Sequence, residues 1–220
     1  HLLPADGGSA LDIGCGVGDY ALGLAREGYK TTGIDLSDGM IHGAKQLADT
    51  EGLDVSLYIA PWSEETRQRL GWNKTFDLAY SIFCPIMFDV ENIRAMHNAS
   101  HDTCLWIAFS ERMDETVDML SEHFFGRDSF PWAGKMKECL DAIHEIGHNV
   151  KVTYKTVPET EVMSLDKAVD YFTMRLHNNG WGTIEDMKRE IRQFIEPRTI
   201  DGKIHNKTVD TVAWVSWSVK

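Results

Sequence analysis

The 220-residue chain has little cysteine and no long apolar run. Its four cysteines lie far apart and form no Cys-x-x-Cys pair, so the sequence indicates neither a disulfide framework nor a thiolate zinc site. No apolar run reaches the roughly 18 residues of a membrane span, and no basic and apolar leader opens the chain. We therefore expect a cytoplasmic protein with no membrane partner. The four cysteines are Cys15, Cys84, Cys104 and Cys139.

Positive charge is also scarce. Lys and Arg total 22 against 34 for Asp and Glu, which gives a formal net charge of −12. This balance argues against binding to nucleic acid or to anionic lipid, because both require a basic face. Hydrophobic residues make up 43% of the chain, enough for a substantial core. The length fits a single domain at 1–220, with room for an insertion.

Short apolar runs alternate with helical patterns over the first half of the chain. Helical spacing occupies residues 20–26 and 39–49, between runs that are compact enough to be strands buried on both faces. Strand, helix and strand in repetition predict an α/β fold with right-handed crossovers and a parallel sheet. The predicted strands are Ala10–Ile13, Thr31–Asp35, Val55–Ala60, Phe76–Phe83, Cys104–Phe109, Val150–Val157 and Val209–Val219.

Residues 158–208 separate the last two predicted strands and are too many for a structureless loop. They contain two amphipathic patterns, Leu165–His177 and Thr183–Glu196, the second with a capping threonine at its start and Pro197 after its end. We predict a helical insertion within the domain. It would be either a lid over one end of the sheet or a cover for apolar surface.

Three glycines at alternate positions follow the first predicted strand: Gly14, Gly16 and Gly18. Glycine can turn sharply at a strand end, and we expect such a turn to leave its backbone amides open to a ligand. Asp12 precedes the turn, and Asp35 ends the second strand. A carboxylate at that position suits two ribose hydroxyls, so the pattern predicts a nucleoside cofactor.

Two cofactor types fit this pattern. The residues from Gly16 to Ala21 satisfy the dinucleotide fingerprint G-x-G-x-x-A of NAD(P)-dependent oxidoreductases, although the turn already begins at Gly14. The longer strings Leu11-Asp-Ile-Gly-Cys-Gly-Val-Gly18 and Gly33-Ile-Asp-Leu-Ser-Asp-Gly-Met40 resemble the first two motifs of class I S-adenosylmethionine-dependent methyltransferases. The resemblance extends from about Gly8 to Phe109. An oxidoreductase remains the alternative.

The resemblance implies a three-layer, Rossmann-like, seven-stranded sheet in the order 3-2-1-4-5-7-6, with strand 7 antiparallel. It also implies S-adenosyl-L-methionine as cofactor and S-adenosyl-L-homocysteine as product. Asp12 would lie near the methionine end, Asp35 on the ribose and Met40 against the adenine. The cofactor-binding residues expected on this basis are Asp12, Gly14, Cys15, Gly16, Gly18, Tyr20, Asp35, Leu36, Met40, Ala60, Pro61, Trp62 and Ser81.

The sequence departs from the family pattern at two places. Many members carry an aspartate near the adenine amine after the third strand, where this chain reads Ala60-Pro-Trp62. Backbone groups, the Trp62 ring, Ser63 or Glu64 would have to replace it. Only about eight residues precede the first strand, where the family usually has helices over the cofactor. We expect either further residues before them or an open site.

Methyl transfer from a sulfonium requires mainly that an acceptor lone pair be aligned behind the methyl group. Tyr20 and Trp62 are candidates for cation–π contact with the sulfonium. Tyr20 and Cys84 are the candidate catalytic residues, although Cys84 also fits as a small buried apolar side chain. The Asn-Pro-Pro-Tyr type of amine-methylating signature is absent, which argues against amino groups of nucleic acid or protein as acceptors. Together with the acidic charge and the aromatic residues of the insertion, this leads us to expect a small-molecule acceptor. A non-catalytic protein that binds the cofactor would share every motif.

Two histidine pairs have a spacing that could indicate a metal site. His144-Glu-Ile-Gly-His148 matches the zinc-hydrolase signature H-E-x-x-H, which needs both histidines on one helix. The helical pattern ends near Gly147, so we expect His148 to lie beyond the helix and predict no metal site. His97 and His101 are interpreted as a surface pair, and the acidic residues between Glu111 and Asp118 as a solvated helix start.

Overall fold

The fold is described from a computed structural model, which describes residues 7–126, 134–177 and 182–220. Seven strands form one sheet in the order β3-β2-β1-β4-β5-β7-β6, with β7 antiparallel, which confirms the order expected from the resemblance. The strands are β1 (Ser9–Ile13), β2 (Lys30–Asp35), β3 (Val55–Ile59), β4 (Phe76–Ile82), β5 (Ser100–Asp114), β6 (His148–Ser164) and β7 (Lys203–Ser218).

Helices connect these strands, and their bounds agree with the predicted patterns to within two residues where a pattern was assigned. No helix in the described ranges is both long and apolar enough to cross a membrane. Short 3₁₀ turns occupy Pro85–Met87 and Glu196–Arg198. The helices are α1 (Asp19–Arg26), α2 (Asp38–Glu51), α3 (Glu64–Arg69), α4 (Val90–Ala99), α5 (Glu115–Phe125), α6 (Lys135–Ile146), α7 (Leu165–Leu176) and α8 (Ile184–Ile195).

The parallel part of the sheet sets the position of the glycine turn. β1 pairs in parallel with β2 on one side and with β4 on the other, so that Ile13 lies opposite Ile34 and Asp12 opposite Tyr80. β1 is almost completely buried, as expected for a strand with helices on both faces of its sheet. The carboxyl ends of β1, β2 and β4 therefore lie side by side.

The described residues form two compact units. The first consists of 7–109, 134–154 and 212–220, and the second of 110–126, 155–177 and 182–211. The predicted insertion at 158–208 falls in the second unit, together with α5, which the sequence analysis did not assign to it. Strands β5, β6 and β7 each contain residues of both units.

The last two strands are longer than the sequence analysis predicted. β6 continues through Pro158 to Ser164, and β7 begins at Lys203, so strand residues occupy both ends of the predicted insertion. Proline is tolerated in a strand at the edge of a sheet, where its missing N–H group leaves no partner unsatisfied, and β6 lies at one edge of this sheet. A proline within an exposed run of residues therefore did not mark the end of the strand.

The second unit has its own core, in which α7 and α8 pack together and against α5. Phe172 and Ile191 are fully buried there, beside Leu120 of α5. Each helix begins with a side-chain cap: Asp114 accepts from the Val117 amide, Ser164 from Lys167 and Thr183 from Asp186, as expected for these residue types.

The interpretation of Asp114 as part of a solvated helix start was wrong. Its side chain is 1% exposed, and its Oδ1 accepts hydrogen bonds from the Val117 amide and from Asn206 Nδ2, both at 3.1 Å. Arg175 approaches the other oxygen at 3.8 Å. Asn206 also accepts from the Thr116 amide, so one amide side chain joins β7 to the beginning of α5.

Candidate active site

The amides of the glycine turn are largely satisfied within the protein. Gly14 and Cys15 both donate to the Ile34 carbonyl, at 2.8 and 3.1 Å, because the end of β2 lies beside the turn. Gly16 donates to Asp35 Oδ2 at 3.0 Å, and Gly18 donates to the Cys15 carbonyl. The expectation that the turn leaves its amides open to a ligand is therefore wrong at these four residues.

The glycines instead provide backbone conformation and space. Gly14, Gly16 and Gly18 have φ angles of +75°, +54° and +86°, which side-chain-bearing residues rarely adopt. A Cβ on Gly14 would lie 2.3 Å from Cys84 Sγ, whereas a Cβ on Gly16 would meet no described atom within 4 Å. Open space therefore borders the turn at Gly16.

Asp35 connects this turn to the second strand. Its Oδ2 accepts from Gly16 and its Oδ1 from the Ser37 amide at 2.8 Å. A carboxylate has about four acceptor sites, so each oxygen retains capacity for one further donor. Leu36 and Met40 follow at 73% and 47% exposure, which is high for apolar side chains beside a charged group. Ribose hydroxyls at Asp35 and a ring at Met40 remain predictions that this geometry permits.

Asp12 lies in the interior at the end of β1, with 2% of its surface exposed. Burial raises the pKa of its carboxyl group to about 7, and the charge on Asp35 adds to this effect, while the Tyr80 hydroxyl and the Ala21 amide oppose it. Neither Asp12 Oδ2 nor the Tyr80 hydroxyl makes a hydrogen bond of standard geometry with a described residue. Because its pKa is about 7, the Asp12 carboxyl group can take up or release a proton near neutral pH.

Three predicted contact residues have side chains engaged in the interior. Cys15 is 8% exposed. Trp62 is 5% exposed, and its indole nitrogen donates to the Asn92 carbonyl at 3.2 Å. Ser81 is fully buried and donates to the Ile13 carbonyl at 2.8 Å. Trp62 and Ser81 thus join neighbouring elements, and only their backbone groups fit the predicted contact role.

The segment after β3 is arranged by local hydrogen bonds. The Ala60 amide donates to the Asp35 carbonyl at 3.0 Å, which brings Ala60 and the exposed Pro61 to the end of β2. Ser63 caps α3 by accepting from the Thr66 amide, and Glu64 accepts two hydrogen bonds from Arg67. Both substitutes considered for the missing adenine-side aspartate therefore already have partners in α3.

The two candidate catalytic residues differ in exposure. Tyr20 is 52% exposed in the first turn of α1, directly after the glycines. Cys84 is half-buried against Gly14, and burial raises the pKa of its thiol. Since the thiolate is the nucleophilic form of cysteine, Cys84 is poorly suited to covalent catalysis at neutral pH.

The sequence analysis missed Phe83 at the end of β4. Its φ angle is +53°, uncommon for a bulky residue, and its ring stacks on Phe109 at a centroid distance of 4.6 Å. Its side chain is 44% exposed, next in the chain to the candidate catalytic residue Cys84. The sequence carries no signal for this conformation, because no glycine or asparagine marks it.

Neither histidine pair has the arrangement of a metal site. α6 ends at Ile146 and His148 begins β6, so the two histidines of the H-E-x-x-H string do not share a helix, as predicted. His97 is half-buried: burial lowers its pKa to about 4, and it accepts from Trp217 Nε1 at 3.3 Å. His101 faces Asp77 instead. No group of three metal-binding side chains occurs within the described ranges.

The residues present fit an adenosyl cofactor. Gly16 borders open space, Asp35 retains acceptor capacity, and Leu36 and Met40 expose apolar surface next to it. Asp12 adds a buried carboxyl oxygen without a hydrogen-bond partner of standard geometry. This set of groups matches a ligand that has a sugar, an aromatic base and a cationic end.

Comparison with known proteins gives the same family. The model of a family described as "Methyltransferase domain" matches residues 10–104. A candidate methyltransferase from Geobacillus sp. strain WCH70 is 34% identical over 74 residues, which are 34% of this chain and 28% of that protein. The matched segment thus spans less than a third of this curated relative.

Solved structures resemble the fold over nearly the whole chain. A candidate methyltransferase from Bacillus halodurans C-125 has a TM-score of 0.61 at 12% identity, covering 99% of this chain and 94% of that one. Phosphoethanolamine N-methyltransferase 2 from Haemonchus contortus, in complex with S-adenosyl-L-methionine, has a TM-score of 0.55 at 15% identity and covers 100% of this chain and 50% of that one. The glycine motif and the family match over residues 10–104 indicate a methyltransferase domain, and the strand order is that of the class I S-adenosylmethionine-dependent methyltransferase fold.

Proposed function

We propose that this protein transfers the methyl group of S-adenosyl-L-methionine to a small-molecule acceptor and releases S-adenosyl-L-homocysteine. The observation that carries the proposal is the contact between Gly16 and Asp35, which places a carboxylate beside open space at the end of a parallel sheet. Ligands of open α/β sheets bind at this edge.

The bound cofactor supplies a methyl group already activated by the positive sulfonium. The chain's own side chains would bind the cofactor and orient it toward the acceptor. Asp35 would accept from the ribose hydroxyls, and Leu36 and Met40 would pack against the adenine. Asp12 would lie near the methionine end, and the exposed Tyr20 ring is available to a cation. Alignment of the acceptor lone pair with the carbon–sulfur bond supplies most of the rate enhancement.

A small acceptor is supported by charge. At −12 overall, the protein repels phosphate backbones and anionic lipid surfaces. The four cysteines are free thiols, which supports a reducing compartment such as the cytoplasm.

Calorimetric titration with S-adenosyl-L-methionine, with NADH and with zinc distinguishes the alternatives. We expect binding of the first only, followed by formation of S-adenosyl-L-homocysteine when acceptor is supplied. Binding without turnover on any amine, alcohol or thiol panel would support a sensor. Binding of NADH alone would support an oxidoreductase.

A pair of glycine variants tests the site itself. Gly16→Val places a side chain in the space proposed for the ligand and should abolish cofactor binding. Gly71→Val is the matched control, because Gly71 also has a positive φ angle, +70°, and no described atom within 4 Å of its Cβ position, but lies after α3. Equal cofactor affinity in the two variants would refute the site.

A further inference from the structure

An apolar segment follows β4 at the carboxyl edge of the sheet. Residues 83–86 read Phe-Cys-Pro-Ile and contain no charged side chain. Phe83 and Ile86 are each 44% exposed, and Pro85 between them is exposed as well. Neighbouring exposed apolar side chains, unlike single ones, often mark a binding surface. We refer to residues 83–86 below as the β4 segment.

The β4 segment adjoins the glycine turn. β4 pairs in parallel with β1, so both strands end at the carboxyl edge of the sheet, where ligands of such sheets bind. Cys84 packs so closely on the turn that a Cβ on Gly14 would lie 2.3 Å from its Sγ. Phe83 directly precedes Cys84 in the chain. The segment therefore borders the edge at which the cofactor and its acceptor would meet.

The Phe83 ring is held in place on one side. It stacks on the Phe109 ring, with the ring centroids 4.6 Å apart and an angle of 26° between the planes. The Phe83 amide donates to the Ile107 carbonyl at 2.8 Å, which fixes the backbone beneath the ring. Because Phe109 covers one face, the exposed surface of Phe83 belongs mainly to the opposite face and to the ring edge. A flat apolar surface is thus presented beside the glycine turn.

Phe83 occupies this position in a strained backbone conformation. Its φ angle of +53° lies in the left-handed region, which asparagine and glycine adopt more readily than a bulky residue. Strained residues persist only where the surrounding structure holds them, and they cluster at ligand-binding positions. A ring that is nearly half exposed adds little to the core. Strain and exposure at one residue together indicate a role in binding.

We propose that Phe83 determines the specificity for the methyl acceptor, and that this acceptor carries a flat aromatic ring that stacks on the free face of Phe83. The proposal rests on the proposed methyltransferase function. Stacking of two rings adds to the gain from burying their apolar surface. The β4 segment has no charged group to pair with an ion, so a neutral ring is favoured. Phe83 binds and orients the acceptor and takes part in no bond change.

A planar probe and its saturated counterpart test the acceptor class. The two are 2-naphthol and 2-decalol, both neutral at pH 7.5, and ligand-observed NMR measures their affinities with and without S-adenosyl-L-homocysteine. The saturated molecule has at least as much apolar surface, so burial alone gives it no disadvantage. We expect 2-naphthol to bind about fivefold more tightly, because only the flat ring can stack. Equal affinities would overturn the acceptor class.

Substitutions at Phe83 test the residue itself. Phe83→Leu keeps an apolar side chain without the flat ring, and should weaken 2-naphthol about fivefold while 2-decalol changes less than about twofold. Phe83→Tyr keeps the ring and should bind both probes as the wild type does. Phe83→Asn suits the positive φ angle and should lose the same preference, which keeps the test open if the leucine variant does not fold.

The matched control for these variants is Tyr154→Leu. It removes an aromatic side chain of 54% exposure from the edge strand β6 and should leave both affinities unchanged. Normal 2-naphthol binding by Phe83→Leu, or an equal loss in Tyr154→Leu, would overturn the proposal. So would a wild-type dimer, seen by sedimentation, that Phe83→Leu dissociates, since a second copy would then cover the β4 segment.

Thiol labelling tests the location. Ile86→Cys and Leu47→Cys each replace an apolar side chain that is 44% exposed, the first in the β4 segment and the second on α2. Saturating 2-naphthol should slow alkylation by iodoacetamide severalfold at position 86, measured by mass spectrometry, and leave position 47 unchanged. Equal protection of the two positions, or protection of neither, would overturn the location.

Cofactor titration on the same samples separates the two levels of inference. Phe83→Leu should bind S-adenosyl-L-methionine with wild-type affinity, and a large loss would show that the ring contacts the cofactor instead of the acceptor. If the cofactor binds and 2-naphthol does not, the acceptor class is wrong and the methyltransferase proposal stands. If 2-naphthol binds at Phe83 and the wild type does not bind the cofactor at all, the proposed function fails and Phe83 remains an aromatic-binding residue.

Discussion

The amide of Gly16 donates to Oδ2 of Asp35 at 3.0 Å, so the turn after β1 and the end of β2 form one hydrogen-bonded structure. The Ser37 amide binds the other oxygen of the same carboxylate. Asp35 therefore has two roles: it fixes the shape of the glycine turn, and it presents its remaining acceptor sites to a ligand. A single substitution should affect both.

Asp35→Ala should weaken cofactor binding by at least tenfold and lower the free energy of unfolding by ~1–3 kcal/mol, since two backbone amides lose a charged acceptor. Calorimetric titration with S-adenosyl-L-homocysteine and urea denaturation measure the two effects. Asp49→Ala, on the exposed face of α2, is the control and should change neither. Unchanged affinity in Asp35→Ala would remove the ribose role.

The contact between Gly14 and Cys84 predicts a steric coupling. A Cβ on Gly14 would lie 2.3 Å from Cys84 Sγ and 2.7 Å from its Cβ. Gly14→Ala should therefore destabilise the protein by ~2–4 kcal/mol, of which the positive φ angle contributes ~1 kcal/mol. Adding Cys84→Gly removes both clashing atoms and should restore the steric part.

Denaturant unfolding of the two single variants and the double variant measures this coupling. If the stability changes of the two single variants simply add in the double variant, there is no steric clash between positions 14 and 84. Cys84→Ala alone should retain methyl transfer, since the raised pKa keeps the thiol neutral. Complete loss of turnover in that variant, with cofactor affinity intact, would restore Cys84 as a catalytic candidate.

Much of the fold was predictable because it follows from local patterns. The glycine turn, the buried first strands and the helices α7 and α8 each have a periodicity or a capping residue in the sequence. Strand lengths were not predictable in the same way. β6 is exposed along most of its length and contains Pro158, so neither burial nor propensity marks its end at Ser164.

The sequence predicted which residues form the site more accurately than it predicted the contacts of those residues. Asp35 and the glycines lie together as expected, but the turn's amides bind the protein itself, which depends on how closely the end of β2 approaches. Trp62 follows the end of β3 and Ser81 lies near the end of β4, yet their side chains point to interior carbonyl groups. Orientation of this kind depends on tertiary packing, which the sequence pattern does not encode.

The buried carboxylate of the second unit gives a stability prediction. Asp114→Ala removes the cap of α5 and the partner of Asn206, and removes the carboxylate that lies 3.8 Å from Arg175. We expect the free energy of unfolding to fall by ~2–4 kcal/mol. Ser164→Ala, which removes the exposed cap of α7, should cost only ~1 kcal/mol in the same urea titration. Equal losses would show that burial of Asp114 adds nothing to its capping role.

Asp12 should make stability depend on pH in a defined direction. Its pKa rises from 3.8 to about 7 on folding, so between these values the folded protein holds a proton that the unfolded chain has released. Stability should therefore fall as the pH rises from about 4 to about 7 and level off above, by an amount on the order of a few kcal/mol at ~1.4 kcal/mol per unit of pKa shift. Asp12→Asn, which cannot ionise, should lack this slope, so its stability relative to wild type should increase through the same range. Urea denaturation of both proteins from pH 4.5 to 8 measures the difference, and parallel curves would show that Asp12 is already ionised in the folded state at pH 5.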